Sequence, residues 1–171
     1  MTTAALAFAL LILGADPALK CKGEGPKDAK TRDARKAVEG GELFKLAVKQ
    51  LGAAKSCTVK WVHEGEGDFS TLTYQLEKGT AEFANLPPET SITTLTAPGG
   101  FADEAAVKTG FKDSEMVKQF KIDWKKKPEV STGKGEKTET YSSPDEGDNA
   151  MVDFTTNQAG KLIKVSFHFA L

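Results

Sequence analysis

GELFKLAVKQLGAAKSCTVKWVHE, residues 41–64, contains the change of period on which the fold turns. In its first half Leu43, Phe44, Leu46, Ala47, Leu51 and Ala54 recur at spacings of 3, 4 and 7, the pattern of an amphipathic helix, so a helix is expected over Gly41–Ala54. From Cys57 the period drops to two. Cys57, Val59, Trp61 and His63 alternate with Thr58, Lys60, Val62 and Glu64, which is how a strand with one buried face reads.

Downstream the period of two persists. Phe69–Leu76 (FSTLTYQL) is rich in β-branched and aromatic residues, and Glu77-Lys78-Gly79 is a turn leading into a strand over Thr80–Leu86 that Pro87-Pro88 ends. Ser91–Thr96 (SITTLT) predicts another short strand, closed by Ala97-Pro98-Gly99-Gly100, and residues 102–108 (ADEAAVK) one or two helical turns. Met116, Phe120, Ile122 and Trp124 predict a strand with a charged outer face. Lys125–Asn149 contains no Leu, Ile or Phe and is too long for an ordinary connection, so it is either an excursion hairpin or a mobile loop. Met151–Thr156 and Leu162–Phe169 predict a closing hairpin, with Ile163, Val165, Phe167 and Phe169 on one face.

Upstream of the quoted stretch, residues 21–36 (CKGEGPKDAKTRDARK) alternate in charge and carry only a thin apolar stripe. Residues 16–40 are therefore expected to be a polar tether or solvated helix, and 41–171 a single domain. The expected fold class is α+β: an N-terminal helix or helices packed on a curved, mostly antiparallel sheet of six to seven strands. A two-sheet sandwich with the helix at one end satisfies the same pattern.

Residues 1–15 are uncharged, Ala4–Leu13 (AALAFALLIL) is unbroken apolar sequence, and Gly14-Ala15-Asp16-Pro17 follows. This is the build of a signal peptide cleaved near Ala15, although Met1-Thr2-Thr3 lacks the usual basic residue; the alternative is an N-terminal core helix. A lipid-attachment box is rejected because Lys20, not a small residue, precedes Cys21. The chain's two cysteines, Cys21 and Cys57, either form a disulfide in an oxidising compartment or remain two buried thiols.

The 171 residues carry 27% charged side chains and a formal net charge of -1, which excludes a disordered polyampholyte and a basic nucleic-acid binder. No apolar run reaches the roughly 18 residues of a membrane helix, so no span is expected after cleavage. The near-zero balance conceals regional bias. Residues 20–60 hold eleven basic against five acidic side chains, 61–116 three against ten, and 117–137 seven against three. Lys118, Lys121, Lys125, Lys126 and Lys127 beside Trp124 form the densest basic feature. Lys121, Trp124, Lys125, Lys126 and Lys127 are thus candidate contacts for an anionic surface, a polysaccharide or another envelope protein. The alternative is a strand edge protected by lysines.

Nothing in the sequence predicts a catalytic, metal or cofactor site. The two histidines, His63 and His168, lack the i, i+2 or i, i+4 partners that a metal site needs. Cys57 and His63 on one strand stand about 20 Å apart, too far for a nucleophile pair. Gly65 and Gly67, and Gly133 and Gly135, sit in polar turns with no helix opening behind them. The carboxylates Glu64, Glu66 and Asp68, and Asp145, Glu146 and Asp148, do not match a calcium loop. The expectation is an exported, non-enzymatic binding or structural module. The alternatives are a small-ligand carrier with a cavity between helix and sheet, and a hydrolase whose residues converge only in three dimensions.

Overall fold

The computed structural model describes residues 19, 21–23, 29–64, 67–86, 89–144 and 149–170. The apolar stretch read as a signal peptide lies outside them, as do Glu66, Asp145, Glu146, Asp148 and the side chains of Trp61, His63, Glu64 and Asp68. In chain order the elements are β1 (Cys21–Lys22), α1 (Ala29–Gly40), α2 (Glu42–Leu51), β2 (Ala54–Glu64), β3 (Gly67–Leu76), β4 (Gly79–Leu86) and β5 (Glu89–Thr96). There follow α3 (Glu104–Asp113), α4 (Glu115–Gln119), β6 (Glu129–Gly133), β7 (Glu136–Ser142), β8 (Asn149–Thr156) and β9 (Leu162–Ala170).

Among the described residues nine strands form one sheet, ordered β1-β2-β3-β4-β5-β9-β8-β7-β6. The β1–β2 pair is parallel and every other pair antiparallel, so the sheet is mixed. This overturns the expected six to seven strands with N-terminal helices. A strand precedes the first helix, two of the four short helices lie mid-chain between β5 and β6, and the structure is mostly sheet. Three departures account for the difference, the first being β1, a two-residue strand in a stretch expected to be tether or solvated helix. The polar stretch after Lys125 contains the β6–β7 hairpin, whose exposed first strand needs no apolar side chains. Met116–Trp124, expected as a strand, is instead the end of a helical segment and a turn. Ser114 caps α4 by accepting the Val117 N–H at 3.4 Å, and the spacing of Met116 and Phe120 serves a helix as well as a strand.

Register turns the alternation into layers. Cys57, Tyr74, Ala81, Leu95, Val165 and Phe154 are successive cross-strand partners, and all are buried. The next row is Val59, Leu72, Phe83, Thr93, Phe167 and Val152, also buried throughout. Residues of opposite parity, among them Thr73, Glu82, Thr94, Asp153 and Thr140, form the polar face. One face is therefore apolar and must be covered.

Helix α2 lays Phe44 edge-on against Tyr74 at 4.7 Å and against Phe83 at 6.1 Å. Helix α3 sits over the other half of the sheet. It buries Val107 and Phe111, sets Lys108 over Phe154, and anchors its first turn where Glu104 accepts the Leu162 N–H at 2.8 Å. The two helices approach closely at Gly110, where an added Cβ would come within 2.7 Å of the Leu46 side chain. Gly79 is fixed by the sheet itself, because a Cβ there would run into the backbone carbonyl of Thr96.

Cys21 and Cys57 form a disulfide across the paired strands β1 and β2, at a sequence separation of 36. The bond closes a loop that includes α1 and α2, so it removes chain entropy from the unfolded state worth about 4 kcal/mol. Replacing both cysteines by Ser is expected to lower the unfolding free energy by about that amount, read as an earlier midpoint in guanidinium. An unchanged midpoint would contradict this role.

Candidate ligand-binding cavity

The described residues do not fully cover the apolar face. Between the α1–α2 junction and α4, over strands β4 and β5, lies a cavity of about 550 Å³. Its floor is the cross-strand pair Phe83 and Thr93. Val38, Leu43 and Phe44 wall it on one side, and Met116 and Phe120 on the other. Glu42, Glu115 and Gln119 contribute polar groups, and among the described residues none that lines it is Lys, Arg or His.

Each wall is built locally. Helix α1 ends at Gly40, the Gly41 N–H bonds the Val38 carbonyl at 3.0 Å, and α2 begins at once, so two helix ends meet at the cavity. On the far side Ser114 is itself satisfied, donating to the Phe111 carbonyl at 2.9 Å and capping α4. Phe120 packs at 5.2 Å against Phe167 with the rings tilted, so this wall rests on β9.

A buried polar tie holds α1 over the sheet. Tyr74 is fully buried, and its hydroxyl donates to Glu39 Oε1 at 3.2 Å, while Arg35 Nε donates to the same oxygen at 2.6 Å. Burial pushes the Tyr74 phenol well above its ordinary range. The charge of Glu39 and the hydrogen bond to it push it further, and Arg35 opposes them.

The sequence-derived candidates lie elsewhere. Lys121 follows α4 with a positive φ of 49°. Asp123 accepts the backbone N–H groups of Lys125 and Lys126 at 3.0 and 3.2 Å, closing a turn from which Lys125, Lys126 and Lys127 project into solvent. Trp124 turns away from them. It packs at 5.3 Å on Tyr141 and 6.4 Å on Phe154, with the Lys112 ammonium 4.8 Å from its ring centre. The lysines and the tryptophan therefore share a turn but not a surface.

His168 is on the polar face, 33% exposed, with Nδ1 3.8 Å from Asp153, and Asp153 accepts the Thr140 hydroxyl at 2.6 Å. Among the described residues no group of three or more His, Cys, Asp or Glu is placed to hold a metal ion. No helix of the described residues is long and apolar enough to cross a membrane.

Sequence reading did not single out the cavity residues. Parity in Ser91–Thr96 is ambiguous, because Ile92 and Leu95 point to opposite faces. Only the pairing of Leu95 with Val165 places Thr93 inward.

The Tyr74 tie has a pH signature. A phenol that holds its proton more tightly when folded stabilises the fold fully below its unfolded value of about 10, and that contribution is lost as pH rises beyond it. The unfolding free energy is expected to fall between about pH 10 and 12 more steeply than in Tyr74→Phe. Parallel curves for the two proteins would contradict the assignment.

No family model, curated protein or solved structure matches this chain.

Proposed function

We propose that the protein is an exported, non-enzymatic binding module that carries a small, mainly apolar molecule in the cavity between its helices and its sheet. The cavity carries this reading. Its volume of about 550 Å³ lies within the range of small-molecule sites, and aromatic and aliphatic side chains make up most of its wall.

Export is supported by two observations. The disulfide belongs to chemistry that persists in oxidising compartments, and the uncharged apolar run Ala4–Leu13 with its small-residue break is built like a cleavable leader.

The test uses a neutral probe, N-phenyl-1-naphthylamine, titrated into purified, delipidated protein. Saturable, blue-shifted emission is expected. Met116→Trp, which places an indole in the cavity wall, is expected to weaken binding at least tenfold while leaving the thermal midpoint within a few degrees. Emission that does not saturate, or that Met116→Trp leaves unchanged, would overturn the reading.

A further inference from the structure

Thr93 is the one polar residue in the inner row Val59, Leu72, Phe83, Thr93, Phe167, Val152. It is 1% exposed, and it forms part of the cavity floor. Among the described residues its hydroxyl meets a single side-chain partner, the thioether sulfur of Met116 at 3.9 Å, and thioether sulfur is a weak acceptor. A buried hydroxyl normally finds full partners, as Ser114 in the same cavity lining does with a carbonyl at 2.9 Å and an amide at 3.4 Å. Valine has nearly the same shape and would suit every neighbour in the row. The hydroxyl therefore costs the empty fold something that only a further partner offsets.

We infer that the ligand is a neutral, mainly apolar molecule bearing a single hydroxyl or carbonyl oxygen, and that this oxygen enters first, displaces the Met116 thioether from Thr93 Oγ1 and takes its place as hydrogen-bond partner. This inference rests on the cavity reading above. Neutrality follows from the lining. The floor holds no ionic partner for a carboxylate or an ammonium, and a charge buried there would go uncompensated. The lining carboxylates are Glu42 and Glu115, both exposed, and Glu115 already lies 3.5 Å from Lys118. Among the described residues, an anionic amphiphile would thus find no cation at the floor to pair with. Phe83, the cross-strand partner of Thr93, and Phe44, 6.1 Å from the Phe83 ring, line the cavity with apolar rings, which suits a flat or chain-like hydrocarbon body behind the oxygen.

Three probes of one shape separate the possibilities: 2-naphthol, naphthalene and 2-naphthoate, each competing against N-phenyl-1-naphthylamine. In the native protein 2-naphthol is expected to displace the dye at about fivefold lower concentration than naphthalene, with 2-naphthoate weakest. A purely apolar cavity would rank naphthalene first, because it is the more hydrophobic of the two neutral probes. Thr93→Val is expected to reverse the preference while still binding naphthalene, and Thr93→Ser to restore it. If Thr93→Val leaves the 2-naphthol to naphthalene ratio unchanged, or if 2-naphthoate binds best, the inference about Thr93 fails while the cavity stands. If no probe displaces the dye from the native protein, the cavity reading fails and this inference with it.

Discussion

A sheet of nine strands with one apolar face has to be covered, and most of this structure follows from how that is done. Nine strands at about 4.8 Å spacing measure roughly 38 Å across, whereas a helix with its side chains covers about 10 Å. Helix α2 takes the half built from β3 and β4 through Phe44, and α3 takes β8 and β9 through Glu104 and Lys108. Two helices side by side leave the middle of the sheet, over β4 and β5, to the ends of α1 and α4. The cavity lies where this cover is thinnest. The Tyr74–Glu39–Arg35 contact matters because it fixes the end of α1 over the sheet by polar groups rather than by filling the gap.

Local periodicity made several elements legible and the global count illegible. The helix expected over Gly41–Ala54 runs from Glu42 to Leu51, and the alternation that starts near Cys57 continues through β2. Elements that do not bury a face leave no such trace. β1 is two residues held by pairing and a disulfide, and β6 is exposed throughout, with Val130 51% exposed. Met116–Trp124 failed for the opposite reason. Its apolar residues fit both periods, and the deciding signal was the Ser114 cap, a single side chain before them.

The cavity was less legible than the fold because it depends on contacts between distant segments. Phe83 and Thr93 are partners by register, Met116 arrives from α4, and Val38 from α1. No local pattern joins these four. The lysine-rich turn showed the converse, since composition drew attention to Trp124 and its neighbours. In the fold that indole belongs to an aromatic group with Tyr141 and Phe154, and the cation over it is Lys112.

The order of strands has a consequence for how the molecule comes together. Apart from the pair that the disulfide closes, every pairing joins strands adjacent in sequence except β5 with β9, where Ile92–Thr96 meets Lys164–His168. Closing a long chain segment costs entropy that short hairpins do not pay, so the assembly of two hairpin runs concentrates that cost at this seam. Thr93 and its partner Phe167 are in the seam itself. The cavity floor, Phe83 and Thr93, belongs to the first run, but the wall opposite is complete only when the halves have joined, because Phe120 rests on Phe167. A molecule seated between floor and wall thus acts as mortar, favouring the closed sheet by its own affinity.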